Sequence, residues 1–432
     1  MKKATKSSLR RQGSSKWFFL AVVFLCSTSF VAQSSYNRVP GRYIIVFQDW
    51  VSDPHGHAKA LSDLHGLELG HVYHKALRGC AVAMPAAKLK DIQNDVSVKY
   101  VSEDQLVSAS GKYERGKPGG GTTPPPPQVL PTGINRTNAD LSTLASIDGQ
   151  DNRVNVDVAV IDTGIDSTHP DLNVVGGVNL AGGNPKSFKD GNGHGTHVSG
   201  TIAALDNAQG VVGVAPGARL WGVRVLNNQG SGFLSDVIAG IDWVTANAST
   251  IEVANMSLGW TGSDTNPNDP AHEAIKRSVA AGVVYVVAAG NDNQDAANFA
   301  PASYDEVITV SAVADSDGIA GGLGAPTTYG ADDTLASFSN FGADVDLAAP
   351  GVDILSTLPG GKYGKYSGTS MASPHVAGTA ALYVTLFGKP LDAFGVESVK
   401  QGLVFYGSPQ GSSEGFSGDK DSFPEPLASA AF

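Results

Sequence analysis

The segment "VNVDVAVIDTGID", Val154 to Asp166, contains four consecutive apolar residues, Val158 to Ile161, directly before an aspartate. A strand with one solvated face alternates between apolar and polar residues, whereas a parallel strand covered on both faces does not. The segment therefore predicts a strand in the interior of a parallel sheet. Asp162 is expected at the carboxyl end of that strand, where open α/β sheets bind their ligands.

Beyond this strand, helical and extended patterns alternate along the chain. In "FLSDVIAGIDWVTANA", residues 233–248, apolar residues recur at helical spacing, and "DPAHEAIKRSVAAG", residues 269–282, opens with the Asp-Pro pair typical of a helix start. Alternating strands and helices of this length indicate a parallel α/β sheet in three layers, with helices on both faces. Further buried strands are predicted at residues 252–259, 283–291 and 307–314.

Residues 42–107 have a different pattern and are predicted to form a small α+β domain. "RYIIVFQ", Arg42 to Gln48, and "VKYVSED", Val98 to Asp104, are predicted as its first and last strands. Between them, a helix, two strands broken at Arg78 and Gly79, and a second helix complete the order β-α-β-β-α-β. This order is that of the ferredoxin-like split unit.

The segments on either side of this small domain are predicted to be a targeting signal and a linker. Residues 1–32 combine six basic residues with the apolar run Trp17 to Cys26, which is too short to span a bilayer and is typical of a secretory signal peptide. Residues 108–128 are rich in glycine and proline and predict an exposed linker before a large domain at 129–432. We therefore expect an extracellular or periplasmic protein without a membrane segment once the signal peptide is removed.

The charge of the chain is unevenly distributed. The net charge is −11, to which residues 1–123 contribute +8 and residues 124–432 contribute −19. The acidic second part argues against nucleic acid as a partner, because it would repel the phosphate backbone, and the opposite charges predict that the two parts attract each other. Both cysteines, Cys26 and Cys80, precede the large domain, so no disulfide framework is expected there.

Four polar residues follow predicted strands or begin predicted helices: Asp162, His194, Asn291 and Ser370. Taken singly, each has a simpler interpretation as a turn residue, a helix cap, a core residue or, for the histidine, a metal ligand. Taken together, they supply what acyl transfer by a serine requires: a nucleophile, a base, a carboxylate that orients the base, and a donor to the oxyanion. Their order along the chain, Asp-His-Ser, is one that known triads use.

The motifs around these four residues resemble the signature blocks of the subtilisin-like serine proteases, the subtilases. The likeness is greatest to the proteinase K-like branch, and residues 42–107 resemble the inhibitor-type prodomain of the same family. The matching blocks are "DTGID" at 162–166, "HGTHVSG" at 194–200, "AAGN" at 288–291 and "GTSMASPHVAG" at 368–378.

The resemblance implies a role for each matched residue. Ser370 is expected to be the nucleophile, His194 the general base and Asp162 the carboxylate that stabilises the imidazolium. Asn291 is expected to donate its side-chain amide to the oxyanion, while His375, the histidine nearest to the nucleophile in sequence, is expected to be a packed helix residue. The residues that match the edges and wall of a substrate cleft are Gly230, Ser231 and Gly232 on one edge, Ser257, Leu258 and Gly259 on the other, and Ala289 and Gly290 in the wall.

The resemblance also implies a structural calcium ion, although no cofactor is expected for the chemistry. Its ligands would be backbone oxygens of Pro301 and Ser303 and the carboxylate of Asp315, and oxygen ligands suit calcium. Residues 317–334 look like an insertion beside this position. Trp260 departs from the family, in which a small residue is usual at this point of the cleft.

These observations lead us to expect a secreted, monomeric serine endopeptidase that is made as a precursor and processes itself between residues 108 and 123. Its own prodomain would inhibit it, and it would cleave proteins and peptides after apolar or aromatic residues. A lipase or esterase would need the motif G-x-S-x-G, which "GTSMA" lacks. A non-catalytic binding relative would lack a member of the triad, and none is missing.

Overall fold

The computed structural model of the protein describes residues 37–110 and 127–432. The predicted signal peptide at 1–32 and residues 111–126 of the predicted linker lie outside the described residues. Among the described residues, no helix combines the length and apolar character needed to cross a membrane.

Residues 37–110, which we call the N-terminal module, contain four strands and two helices. They are β1 (Arg38–Phe47), α1 (Pro54–His65), β2 (Glu68–Tyr73), β3 (Gly79–Ala83), α2 (Leu89–Gln93) and β4 (Val98–Ala109). The strands form an antiparallel sheet in the order β4-β1-β3-β2, which is the predicted ferredoxin-like arrangement.

Alternate residues of β1 pack into two different cores. Tyr43, Ile45 and Phe47 belong to the core that the module forms with its own helices. Ile44 and Val46 belong to the large core of the rest of the protein. Since side chains alternate between the two faces of a strand, the module's sheet is buried on both sides. This explains the continuous apolar run in the first strand.

Residues 127–432 contain thirteen strands. They are β5 (Asp157–Asp162), β6 (Val174–Asn179), β7 (Arg219–Arg224), β8 (Ser231–Phe233), β9 (Val253–Met256), β10 (Leu258–Thr261), β11 (Val284–Ala288), β12 (Phe299–Ala300), β13 (Ile308–Ala314), β14 (Thr334–Leu335), β15 (Leu347–Pro350), β16 (Ile354–Leu358) and β17 (Lys362–Tyr366). Seven of them form a parallel sheet in the order β6-β7-β5-β9-β11-β13-β15. Val158 to Ile161 lie in β5, in the interior of this sheet as predicted, and are fully buried.

Helices complete the three layers that the sequence predicted. They are α3 (Thr132–Arg136), α4 (His194–Ala203), α5 (Leu234–Ala246), α6 (Pro270–Val279), α7 (Thr369–Phe387) and α8 (Ala393–Tyr406). Helices α4 and α7 pack together, with α7 lying along β9, β11, β13 and β15, while α5 and α6 form a second packed pair. The start of α6 agrees with the prediction, because the Asp269 side chain accepts hydrogen bonds from the N–H groups of Ala271 and His272.

One strand predicted from the sequence is two strands in the structure. The run 252–259 divides at Ser257, where β9 leaves the parallel sheet and β10 begins to pair with β4 and β12. Met256 and Leu258, on either side of the break, are both fully buried. The apolar pattern could not show the break, because the chain remains in the interior while it changes sheet.

Candidate active site

The ends of a strand and a helix bring Asp162 and His194 together. Asp162 is the last residue of β5, and His194 is the first residue of α4, 32 positions later. His194 Nδ1 lies 2.8 Å from each carboxylate oxygen of Asp162, and neither side chain is exposed to solvent. A buried carboxylate at this distance fixes the orientation of the imidazole ring.

Ser370 lies in the first turn of α7. Its backbone carbonyl accepts no hydrogen bond from within the helix. Pro374, four residues later, has no N–H to donate to the Ser370 carbonyl. The hydroxyl of Ser257 replaces that donor, with its Oγ 3.0 Å from the Ser370 oxygen. Asn255 Nδ2 lies 2.9 Å from Ser257 Oγ, and Ser373 donates to Asn255 Oδ1 at 2.7 Å. This buried network holds the turn that contains Ser370 in place.

Asn291 follows β11 by three residues, and its amide group has a defined orientation. Its Oδ1 accepts hydrogen bonds from the backbone N–H of Thr369 at 2.8 Å and from the Thr369 hydroxyl at 3.0 Å. Its Nδ2 is thereby directed to the carbonyl oxygen of Ser110, 2.5 Å away. Thr369 thus ensures that the nitrogen of the Asn291 amide, and not its oxygen, is directed into the site.

The end of the N-terminal module occupies the cleft in front of Ser370. Residues 106–109 of β4 pair antiparallel with β8 on one side and with β10 on the other. Ser110 completes this contact, because its N–H donates to the Ser257 carbonyl at 3.1 Å. Its own carbonyl oxygen lies 2.5 Å from Ser370 Oγ and 2.5 Å from Asn291 Nδ2.

The predicted substrate-binding residues lie around this segment and contact it through their backbone. On one edge, Gly230 accepts a hydrogen bond from Ala109 N–H at 2.9 Å, and Ser231 and Gly232 pair with residues 108 and 107. On the other edge, Leu258 and Gly259 pair with residues 109 and 108. Both predicted edges can therefore bind an extended chain without reading its side chains.

A cavity of about 520 Å³ opens beside the Ser110 side chain. Ala289 and Gly290 line it, as expected for the wall of a side-chain pocket. Trp260 also lines it and is only 4% exposed, so its indole forms part of the pocket rather than a surface cover. The remaining wall includes Phe299, Ala300 and Ala302, and the acidic side chain among the lining residues is that of Asp292.

The two other histidines near these motifs are structural. His375 Nδ1 bonds the Met371 carbonyl at 2.8 Å within α7, and burial lowers the pKa of His375 to about 4. His197 Nε2 lies 2.9 Å from the Ile354 carbonyl, and burial lowers the pKa of His197 to about 3. Both rings are therefore neutral at ordinary pH, and His194 is the histidine that faces a carboxylate in the site.

Comparison with known proteins agrees with this geometry. Residues 153–405, which contain Asp162, His194, Asn291 and Ser370, match the model of the "Subtilase family". The chain belongs to the subtilase family. It is therefore a serine endopeptidase, and the lipase and binding-protein alternatives are excluded.

Individual subtilases are similar over much of their length. The chain is 40% identical to subtilisin NAT of Bacillus subtilis subsp. natto over 315 residues, which are 72% of this chain and 71% of the relative. It is 44% identical to a subtilisin of Bacillus pumilus over 262 residues, which are 60% of this chain and 86% of the relative. The crystal structure of a cold-adapted subtilisin-like serine proteinase superposes with a TM-score of 0.54 at 35% identity, covering 69% of this chain and 97% of that one.

The predicted calcium ligands of this subtilase do not lie together. Ser303 lies near the amino end of β13, because Thr309 Oγ1 donates to the carbonyl of Ala302 at 2.7 Å. Asp315 directly follows the carboxyl end of the same strand. Seven residues of extended chain span about 20 Å, so one ion cannot contact both Pro301–Ser303 and Asp315. The physical reason is that an extended strand separates its two ends by its full length, although few residues lie between them.

Three functional features of the site were not found by sequence reasoning. Thr369 adjoins the nucleophile, but only the fold shows that it orients Asn291. Asn255 lies within a predicted buried strand, and its amide could have signalled a polar network. Ser110 lies in a glycine-rich segment that gave no signal for one particular position.

Proposed function

We propose that this subtilase is made as a secreted precursor in which Ser370 cleaves the peptide bond on the carboxyl side of Ser110. The observation that carries the proposal is the position of the Ser110 carbonyl oxygen, 2.5 Å from both Ser370 Oγ and Asn291 Nδ2. This bond lies within the window of residues 108–123 expected from the sequence.

The reaction uses the groups that the fold gathers at this site. Ser370 Oγ attacks the Ser110 carbonyl carbon while His194 Nε2 takes the hydroxyl proton, and Asp162 stabilises the imidazolium. The oxyanion accepts hydrogen bonds from Asn291 Nδ2 and from the Ser370 backbone N–H. The C–N bond then breaks as His194 returns the proton to the leaving amine. Water then attacks the acyl-enzyme while His194 takes its proton, and His194 returns the proton to Ser370 Oγ as the ester bond breaks. The chemistry therefore requires no cofactor.

After cleavage, the N-terminal module is expected to remain bound as an inhibitor. The carboxylate of Asp242 in α5 accepts hydrogen bonds from three consecutive backbone N–H groups of the module, at His74, Lys75 and Ala76, over 2.6–3.0 Å. Residues 106–110 fill the cleft as a strand on both edges. A product bound in this way blocks other substrates, which supports the prodomain prediction for residues 42–107.

Substrates are proposed to be proteins and peptides with an apolar or aromatic side chain before the cleaved bond. The support is the pocket beside Ser110, which Trp260 and Phe299 line together with small apolar residues. Among the described residues that line it, Asp292 is the one with a titratable side chain. The proposal of secretion rests on the signal-like residues 1–32. Two further points stay predictions: membership of the proteinase K-like branch and a monomeric state.

The test compares the parent chain with Ser370→Ala and with Ser367→Ala. Ser367 lies three residues earlier in the same motif, where its Oγ accepts a hydrogen bond from the Asp353 N–H and does not contact Ser110. Intact mass and amino-terminal sequencing of the purified chains give the cleavage position. We expect the parent and Ser367→Ala to yield a new amino terminus at residue 111, and Ser370→Ala to stay uncut.

Two results would contradict the proposal. Equal cleavage of Ser370→Ala would mean that another protease processes the chain. A first cut elsewhere in the parent, for example after residue 123, would mean that Ser110 is not the substrate residue.

The processed enzyme, assayed on peptides that differ at one position, should prefer phenylalanine or leucine to lysine or aspartate before the cleaved bond.

A further inference from the structure

A long loop that interrupts the end of the parallel sheet is closed by acidic residues. Strand β13 ends at Ala314, which pairs antiparallel with Thr334 of β14. We call this pairing and the residues next to it the neck of the loop. Asp315 follows β13 on one side of the neck, and Asp332 and Asp333 precede β14 on the other. Loops of this length without secondary structure need specific contacts to be ordered.

Three carboxylates meet at the neck. One carboxylate oxygen from each of Asp315, Asp317 and Asp332 lies within 4.8 Å of the other two. Asp315 and Asp332 are 2% and 4% exposed, and Asp317 is exposed. The two buried carboxylates repel each other where water is excluded, and Asp317 adds a third like charge on the solvent side.

The charge of Arg136 acts on Asp315, but this arginine forms no ion pair with the three carboxylates, because its donors are already engaged. Arg136 Nε lies 2.8 Å from Asp333 Oδ1, and the other two nitrogens of its guanidinium donate to the carbonyls of Glu414 and Gly415. Within residues 37–110 and 127–432, no Lys, Arg or His side chain forms an ion pair with Asp315, Asp317 or Asp332. Burying charged groups without a counter-charge is costly.

One oxygen at the neck also lacks a hydrogen-bond partner. Asp315 Oδ1 accepts the N–H of Gly318 at 2.9 Å, whereas the buried Oδ2 has no partner in the described part of the chain. Buried polar atoms are normally satisfied, so such an atom calls for a missing partner. Burial, with Asp332 and Asp333 adding to it, raises the pKa of Asp315 to about 7.

We propose that Asp315, Asp317 and Asp332 bind a calcium ion that closes the neck of this loop. Calcium takes six to eight oxygen ligands in flexible geometry, and the exposed Asp317 side leaves room for water to complete them. This site differs from the one expected from the sequence, because Pro301 and Ser303 take no part in it and two of its three carboxylates come from the insertion 317–334.

The ion would stabilise more than the loop itself. Asn135 Nδ2 of α3 donates to the Gly318 carbonyl at 2.9 Å, and Arg136 holds Asp333. Calcium at the neck would therefore also fix residues 132–136, which follow the predicted linker. We expect its removal to lower the melting temperature and to expose this region to proteolysis.

The experiment uses the full chain carrying Ser370→Ala, so that self-digestion does not interfere. Three single variants are made in this background: Asp317→Asn, Asp315→Asn and Asp264→Asn. Asp264 is an exposed aspartate in another loop and serves as the matched control. Equilibrium dialysis against radioactive calcium counts bound ions per chain, and thermal unfolding is measured with millimolar calcium and with a chelator.

We expect Asp317→Asn and Asp315→Asn each to bind about one ion fewer than the parent and to lose part of the calcium-dependent rise in melting temperature. Asp264→Asn should match the parent in both measurements. The proposal is overturned if Asp317→Asn and Asp315→Asn bind as many ions as the parent, or if the parent binds none. Either outcome leaves the proposed cleavage after Ser110 untouched, because that is read from the amino terminus.

Discussion

At the scale of single residues, the chemistry proposed for this subtilase depends on the orientation of one amide. Asn291 can donate to an oxyanion only if its Nδ2, and not its Oδ1, faces the Ser110 carbonyl. Thr369 makes that choice, because its backbone N–H and its hydroxyl both donate to Oδ1. The Thr369 hydroxyl oxygen also accepts the Gly290 N–H at 3.1 Å. Thr369, which precedes the proposed nucleophile, is thus a positioning residue for the proposed oxyanion donor.

Replacing Thr369 with valine should lower kcat about tenfold, which is about 1.4 kcal/mol of transition-state stabilisation, with little change in KM. The valine keeps the backbone donor and the shape but loses the hydroxyl. Steady-state kinetics of the processed enzyme on a peptide substrate measure the effect, and Thr369→Ser, which keeps the hydroxyl, should restore most of kcat. A rise in KM with unchanged kcat would show that Thr369 serves binding instead.

At the scale of secondary-structure elements, helix α5 lacks an amino-terminal cap of its own. Its cap residue, Phe233, has no side-chain acceptor. Asp104 of the N-terminal module supplies one, accepting the Ser235 N–H at 3.0 Å and the Ser235 hydroxyl at 2.6 Å. An acidic acceptor at a helix amino terminus satisfies unpaired N–H groups and favours the helix dipole. The module and the helix therefore complete each other.

Replacing Asp104 with alanine should weaken the proposed inhibition by the N-terminal module about tenfold, the order expected for loss of charged hydrogen bonds at a helix start. The readout is the delay between self-cleavage and the appearance of peptidase activity, which should shorten. Asp63→Ala, at an exposed aspartate that pairs with Lys59 within α1, is the control and should leave the delay unchanged. An unchanged delay in both variants would show that Asp104 does not hold the module.

In a second element, α8, one ammonium group bonds the segments that lead into two strands of the sheet. Lys400 Nζ lies 2.7 Å from Asp346 Oδ1 and 2.9 Å and 3.2 Å from the carbonyls of Val307 and Asp305. Burial raises the pKa of Asp346, and the charge of Lys400 acts against that rise. The pair joins the helix to the segments that precede β13 and β15.

Replacing Lys400 with methionine should lower the free energy of unfolding by about 3 kcal/mol, because it leaves the Asp346 carboxylate buried without its counter-charge. Chemical denaturation in the Ser370→Ala background measures this. Lys276→Met, which removes a half-exposed lysine 3.5 Å from Glu306, should cost less than about 1 kcal/mol. Equal losses in the two variants would mean that the buried contacts of Lys400 add nothing.

At the scale of the whole molecule, the carboxyl-terminal segment closes the fold over the edge of the parallel sheet. Leu427 bridges to Ala348 of β15, and Glu425 beside it is 3% exposed, with its Oε1 accepting the Ser311 hydroxyl at 2.8 Å. Burial, with the charge of Asp419 adding to it, raises the pKa of Glu425 to about 8. The folded protein therefore holds this proton at neutral pH, whereas the unfolded chain has released it.

Because the folded state binds the proton more tightly, Glu425 makes stability fall as pH rises from about 5 to 8, by up to about 1.4 kcal/mol per pH unit, with no further fall above that. Glu425→Gln should lack this fall. In the Ser370→Ala background, the unfolding free energy of the variant minus that of the parent should rise across this window and then level off. Glu414→Gln, at an exposed glutamate, should follow the parent, and a flat difference for Glu425→Gln would refute the assignment.

Local pattern predicted the parts of this protein that depend on local physics. The apolar run at Val158 to Ile161 predicted a buried parallel strand, and Asp269 with Pro270 predicted a helix start, because each signal lies within a few residues. The division at Ser257 was missed because both sides of the break are buried. The calcium ligands were misplaced because the length of β13 separates Asp315 from the segment that contains Pro301 and Ser303.

Most elements and the chemical groups of the site could be predicted from residue patterns, because a buried strand needs apolar residues and acyl transfer needs an acid, a base and a nucleophile. Which atoms meet depends on the packing of the whole chain: the Thr369 hydroxyl on Asn291, the Ser110 carbonyl at Ser370, and Asp315 beside Asp317 and Asp332. These contacts join residues that lie up to 260 positions apart. Distances of a few ångströms between such residues follow from how strands and helices pack, which no local pattern contains.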